Sequence, residues 1–510
     1  MKNNQIKIGA ILSYIQMGLG VIVSLIYTPI MIRTLGNSEY GLYNTVASTI
    51  SILSLLTLGF NSSYIKFFSS YKKNNDDIKI KKLNGLFLII FLLIGCVALL
   101  CGLFLSFNLH FVFKDGLTAT EYDTAFELMI LLTINLAISF PMSVFGNIIS
   151  AHEKFLFLKL LSIIKTVLSP LLIIPLLLLG YGSVMIVVIT IIISLFVDVM
   201  YLFYCFCILR IKFCFHGFEK NLFKELLIFT SFIAINLIVD QINLNIDKVL
   251  LGRFKGTEAV AIYSVGFTLY TYFQMFSNSL VSLFTPRIHH IVNTYSGKQQ
   301  RDELTTLFVK VGRIQFLIIS LVCTGFVFFG MFFITELWAD YGYSDSYFVM
   351  LLLCVPSIVP LTQNLGIEIQ RAQNNHKFRS VVYLLMAITN LVLSIFLCQK
   401  YGPIGCAVGT AISLLVANCL IMNIYYHKKC NINIYSYWKN IIRMSAGLIF
   451  PLAFGFLIFF VFPIKTTVGF FMGIFAYTLI YILSMWLISM NQYEKEFFLK
   501  PLKRIFKTAR

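Results

Sequence analysis

The chain has 510 residues, of which 58% are hydrophobic and only 12% charged, and its mean hydropathy is +0.85. Soluble domains run at about 45–50% apolar and about 25% charged, so this composition speaks against a water-soluble enzyme, a disordered scaffold or a secreted disulfide module. The net charge of +18 fits either nucleic acid or the cytoplasmic surface of a membrane, and the placement of the charges decides between them.

About 20 mostly apolar residues are needed to cross the hydrocarbon core. Windows of that size predict a first set of spans at 8–32, 42–60, 86–107, 125–149, 155–179, 184–209 and 222–251. A second set falls at 260–283, 314–333, 348–369, 381–397, 404–425, 441–462 and 467–490, which makes 14 in all. Gly, Pro, Asn or clusters of charge close most of them. The apolar runs are too long for strands and do not alternate. The first span is too long for a signal-peptide core and lacks a small-residue cleavage site, so it is expected to be retained. The 11 cysteines lie mostly in or beside spans and include no C-x-x-C pair. They read as small apolar packing residues.

Cytoplasmic connections carry the excess of Lys and Arg. Of the 40 basic residues, 32 lie on alternate connections that begin with the N-terminus and end with the C-terminal tail. The opposite side holds six: Arg33, Lys114, Arg253, Lys255, Lys400 and Lys465. Lys165 and Lys248 remain inside spans. Both termini are therefore expected in the cytoplasm, and the basic charge is a topology signal facing anionic lipid, with no nucleic-acid partner. The outer connection 334–346 is acidic, with Glu336, Asp340 and Asp345. The tail 493–510 mixes Phe497, Phe498, Leu502, Ile505 and Phe506 with basic residues. It reads either as a helix lying on the inner leaflet, broken near Pro501, or as a solvated tail.

A shift of 220 residues brings Arg33 onto Arg253, Gly36 onto Gly256, Tyr43 onto Tyr263, Gly146 onto Gly366, Tyr181 onto Tyr401 and Gly182 onto Gly402. Asp198 meets Asn418. The shift pairs spans one to six with seven to twelve, as parallel repeats about an axis along the membrane normal. The expected architecture is an all-α polytopic membrane protein with two pseudo-symmetric six-helix lobes, 1–215 and 216–430. Two further helices follow at 431–492, and a basic cytoplasmic tail at 493–510. Two such lobes point to alternating access, with a substrate path between them.

A charge at membrane depth costs about 2.5–3.5 kcal/mol on insertion scales, so it faces a cavity or a partner. In span seven, Asn236, Asp240, Asn243 and Asp247 fall at i, i+4, i+7 and i+11, one helical face. Gln241, Asn245 and Lys248 form a second row. Asp240 and Asp247 stand about 10 Å apart along the axis. This face either lines a water-filled cavity or hydrogen-bonds neighbouring helices. Lys165 in span five either captures an anionic head group such as a phosphate or pairs with Asp198. Arg33 and Arg253, at equivalent outer ends of spans one and seven, either shape an outer gate or snorkel to the interface. Prolines 170, 175, 356 and 360 stand inside spans that must bend. No Walker A sequence, metal-ligand spacing or nucleophile elbow occurs, so no cofactor, metal or catalytic residue is expected.

Several stretches resemble a known family. They are Tyr27-Thr28-Pro29, Arg33-Thr34-Leu35-Gly36 and Glu39-Tyr40-Gly41-Leu42-Tyr43, then Asp247-Lys248-Val249-Leu250-Leu251-Gly252, Gly256, Tyr263 and Pro286. Together they resemble polysaccharide transporters of the O-antigen flippase type, in the multidrug/oligosaccharidyl-lipid/polysaccharide exporter superfamily. The resemblance implies a flippase in the bacterial inner membrane. It would move undecaprenyl-pyrophosphate-linked oligosaccharide from the inner to the outer leaflet, with polysaccharide polymerase machinery as the protein partner. Fourteen spans are also similar to the lipid II flippase, whose last two helices form a groove for the lipid tail. The interiors of spans one, two and eight lack the arginines of those relatives, which favours a capsule, O-antigen or related repeat unit. On this reading Lys165 and Lys248 attract the pyrophosphate. Asp240 and Asp247, with Asn236, Gln241 and Asn243 on the same helix, bind sugar hydroxyls or a coupling cation. The alternatives are a cation-coupled multidrug exporter of the same superfamily, and a membrane glycan polymerase or ligase. The first is disfavoured because span one carries no acid, the second because the longest outer loop, 108–125, is short.

Overall fold

A computed structural model describes residues 2–499 apart from 115, 218–219, 282–283 and 374. Every regular element among the described residues is helical. Ten helical segments are long and apolar enough to cross a membrane. Two of them, Ile11–Lys73 and Lys377–Lys428, contain a positive-φ glycine, Gly36 and Gly402, where one helix runs into the next. The helices at Lys220–Gln241 and Thr257–Val281 stand where the sequence predicts spans seven and eight.

The chain forms two compact units, Met1–Ser264 with Leu391–Cys406, and Val265–Asn390 with Ala407–Arg510. The sequence repeat relates residues 220 apart, whereas these units follow contact.

In the first unit, α1 (Lys2–Ile52) turns at Gly36 (φ 75°). A Leu58–Gly59 left-handed step then separates it from α2 (Phe60–Lys73). The span predicted at 42–60 is therefore broken by a short 3₁₀ stretch at Leu53–Thr57. Next come α3 (Asp77–Phe107), the single turn α4 (Leu109–Phe113), α5 (Ala119–Ala151), α6 (Phe155–Leu178) and α7 (Ser183–Phe203). Then follow α8 (Lys220–Gln241), α9 (Asp247–Phe254) and the start of α10 (Thr257–Val281). Gly256 repeats the positive φ of Gly36 at 82°, so the 220-residue shift superposes a backbone feature as well as a residue type. One core joins Phe60, Tyr64, Phe87, Phe91 and Phe145 from α2, α3 and α5. A second joins Leu42, Val46, Phe113, Leu128 and Val187.

The connection after α7 is strapped across α3. Cys214 N donates to Lys81 O (3.0 Å), and Asn84, which accepts from buried Tyr64 (2.7 Å), donates to Lys212 O (3.2 Å). Gly85 permits this approach, since a Cβ there would stand 2.1 Å from Cys214 O. Gly85→Val is expected to displace the strap and cost about 1–3 kcal/mol, as overpacking does. A lowered apparent Tm of the purified protein, with the strap opened to proteolysis, checks this.

In the second unit, α11 (Thr285–Thr294) and the long α12 (Gly297–Phe332) lead to α13 (Ser344–Thr362) and α14 (Leu365–Ala372). The part of α15 (His376–Leu414) that belongs here and α16 (Asn423–Lys428) are followed by α17 (Ile434–Ser445), α18 (Ile449–Val461) and α19 (Thr467–Ser484). Prolines 356 and 360 lie within α13, as 170 and 175 lie within α6. Much of the outer connection predicted at 334–346 is helical, with Phe333 stacked on Trp338 across a π-turn. The final helical stretch, 492–499, docks through Glu494, which is 1% exposed and accepts two bonds from Arg313 of α12, at 2.5 and 2.9 Å. Arg313 also donates to Ser489 O (2.8 Å) and Asn440 O (3.2 Å). The tail proposed to lie on the inner leaflet thus starts as part of the packed unit, and residues 500–510, with the break near Pro501, lie outside the described residues.

Candidate functional site

Helices α6 and α7 are joined by a tight turn at 179–182, so they run antiparallel and residues equidistant from the turn share a depth. Lys165 on α6 therefore stands level with the stretch of α7 between Ser194 and Asp198. Its ammonium donates to Ser194 Oγ at 2.9 Å. Asp198, one turn further along α7, acts electrostatically on the same ammonium, beyond the 4.0 Å of a contact ion pair. Tyr201, a further turn on, feels the Asp198 carboxylate. Ser194 is buried, while Lys165 and Asp198 are half-buried, so the charged groups keep an open side. An ammonium with one hydroxyl partner and a nearby carboxylate retains donors for a ligand oxygen. The ammonium is thus held by Ser194, with Asp198 nearby but not in contact.

Span seven is not one continuous α-helix. Between α8 and α9 a π-helical stretch, Ile242–Ile246, adds a residue to the turn. Such bulges are frequent at functional sites and rotate everything beyond them. The face predicted from i, i+4, i+7 and i+11 is divided accordingly. Asn236 and Asp240 are exposed, Asn243 and Lys248 half-buried, and Asp247 buried at 3% exposure. Asp247 accepts from Tyr263 Oη at 2.7 Å. In the repeat, Tyr27 and Tyr43 occupy the equivalent positions. In the second polar row Gln241 bonds to a neighbouring helix and Asn245 bonds back to Gln241. Gln241 donates to Ser54 Oγ (2.8 Å) and accepts from Asn245 (2.6 Å). Gln241 and Asp247 thus bond neighbouring helices, which is the second of the two readings, and Asn236 and Asp240 are exposed.

Arg253 is given structural work: it donates to the carbonyls of Phe111 (2.8 Å) and Val112 (3.0 Å) at the end of α4. Arg33 is exposed three residues before the Gly36 turn. The sequence reading does not single out Ser194, Ser54, Glu121 or the Arg313–Glu494 pair. Ser194 was within reach, because Ser194 and Asp198 fall at i, i+4 in an otherwise apolar helix. Glu121 carries a signal too, since Thr118-x-x-Glu121 is a capping box.

Residues 8–292 match the model of the family described as polysaccharide biosynthesis protein. A Shigella flexneri protein described as "Putative O-antigen transporter" is 20% identical over 415 residues, covering 78% of this chain and 92% of its own. Among solved structures, the lipid II flippase MurJ in an inward closed conformation superposes with a TM-score of 0.70 at 16% identity, over 97% of this chain and 99% of that one. An inward-facing multidrug resistance MATE family transporter gives 0.64 at 14% identity, over 83% and 96%. At these identities the structural likeness speaks for the fold. What the matches share is a multi-pass helical membrane protein of the transporter and flippase type, not an enzyme.

Proposed function

Because this chain belongs to the polysaccharide biosynthesis protein family, we propose that it carries undecaprenyl-pyrophosphate-linked oligosaccharide repeat units from the inner to the outer leaflet of the bacterial cytoplasmic membrane, for surface polysaccharide synthesis. The proposed frame is 14 spans, in two six-helix lobes plus two helices, with both termini in the cytoplasm. The observation that carries the reading is Lys165, a half-buried cation at membrane depth, set on Ser194 with Asp198 beside it. A pyrophosphate needs a cation there, whereas sugar hydroxyls need the mixed donors and acceptors of Asn236, Asn243 and Asp240. Lys248 and the Arg33 end of α1 are assigned to attract the head group along its path. Asp247, Arg253 and Gln241 hold the helices that present it. The site is exposed to the two sides in turn, and the prenyl tail stays in lipid. A polymerase acting on the delivered repeat unit is the proposed protein partner.

Deleting the gene is expected to stop surface glycan and to accumulate lipid-linked single repeat units accessible only from the cytoplasmic side, both restored by the wild-type chain. Raised drug sensitivity with no such accumulation would identify a multidrug exporter in its place.

A further inference from the structure

At the end of the first unit that carries Arg33 and Arg253, four helix starts converge: the half of α1 after Gly36, α5, α7 and α10. One carboxylate ties three of them. Glu121 caps α5 by accepting from Thr118 N (2.8 Å) and Thr118 Oγ1 (2.9 Å) through Oε2. Its Oε1 accepts from Ser38 at the start of the second half of α1, and from Thr257 at the start of α10 (2.6 Å). Ser38 Oγ and Thr257 Oγ1 are themselves 3.5 Å apart. The neighbouring Glu39 accepts from Ser183 N (2.6 Å), which closes the start of α7. Beneath this layer the backbones meet through glycine. A Cβ on Gly41 would stand 1.9 Å from Thr257 O, one on Gly116 1.9 Å from Gly252 O, and one on Gly252 2.4 Å from Thr45 Cγ2.

We propose that Glu121 is a latch: it holds the starts of α1's second half, α5 and α10 together in the conformer described, and its release from Ser38 and Thr257 is a step of the transport cycle. Two observations separate a latch from a permanent joint. The bonds to Ser38 and Thr257 come from short hydroxyls to one partly exposed carboxylate oxygen, so water replaces them without leaving a buried charge. Parting residues Ser38 and Thr257, 219 apart in the chain, leaves the capping box of Glu121 with Thr118 intact. The capped helix is thus unchanged while the cross-helix bonds exchange. In the sequence repeat, α1 and α5 belong to the first half and α10 to the second, so the latch spans elements that alternating exposure moves apart. The proposal rests on the transport reading, and its test has a readout that does not.

In a chain with all 11 cysteines replaced, Thr45→Cys places one thiol beneath the glycine contact. Its labelling by a membrane-impermeant maleimide from outside the cell is compared among the latch-intact parent, Glu121→Ala and Ser38→Ala/Thr257→Ala. Losing charge-assisted bonds is expected to raise the labelling rate about tenfold in both latch variants, provided each purifies as a monodisperse protein. Unchanged labelling in both overturns the latch. In a second arm, Ser38→Cys/Thr257→Cys is oxidised to a cross-link. Where deletion of the gene stops glycan export, export should also stop with the cross-link and return on reduction, and full export with the cross-link complete then overturns the proposal. If the labelling rises but deletion of the gene leaves glycan export untouched, the latch stands and the flippase reading falls.

Discussion

Replacing Lys165 and Lys248 together by glutamine is expected to abolish export of the surface glycan while the protein stays in the membrane. Glutamine keeps most of the length and some hydrogen bonding of each side chain but removes the charge. Hydrogen bonds to charged groups contribute roughly 1.5–3 kcal/mol each net of solvation. Losing two such bonds to a diphosphate therefore amounts to roughly 3–6 kcal/mol, more than a hundredfold in head-group binding. Glycan quantified at the cell surface, against protein quantified in the membrane, is the measurement. Wild-type glycan at wild-type protein level removes both lysines from the proposed path. Asp198 divides the two readings of Lys165. If the lysine serves only to neutralise Asp198, Lys165→Gln/Asp198→Asn restores export, because both charges leave together. If it captures the diphosphate, the double variant stays as defective as Lys165→Gln.

Arg313→Ala is expected to be the most destabilising single change in the second unit. Arg313 is 5% exposed and Glu494 1%, and the pair is bidentate, with two carbonyls completing the arginine's bonds. Removing one partner of a buried pair costs about 3–5 kcal/mol, since a buried charge is left uncompensated. Apparent Tm in detergent and the steady-state protein level should both fall sharply. Arg313→Met/Glu494→Leu should recover much of the loss, because replacing both charges with apolar groups of similar volume is often neutral. A double variant as unstable as Arg313→Ala would show that the carbonyl contacts to Ser489 and Asn440 hold the joint, and not the charge pair.

These side chains differ in how far the sequence announces them. Lys165 stands out alone because any lysine in an apolar helix does, and Asp198 likewise. Their proximity follows from the tight turn between α6 and α7 and is a local inference. Ser194 was hidden only because a serine in a membrane helix is common. Asp247 was legible as a polar residue but not as a buried one. A π-turn is set by packing around the helix, so the i, i+4 count runs true only up to Gln241. Arg313 and Glu494 lie 181 residues apart and each looks like an ordinary interfacial charge, which is why the arginine reads as a topology marker. Ser38, Glu121 and Thr257 are unremarkable polar residues at helix starts until three connections are brought to one place.

Composition and period determined the class: long apolar runs must be helices, since lipid leaves no other way to satisfy the backbone. The 220-residue shift and the positive-φ glycines at 36 and 256 came through the same way, because a turn that requires glycine leaves its mark in one residue. The tertiary structure decided which polar residues face outward and which are joints. The reason is physical: a polar side chain at membrane depth must meet water, ligand or another helix, and its own sequence records only that it needs one of them. Which one it meets depends on neighbours contributed from far along the chain.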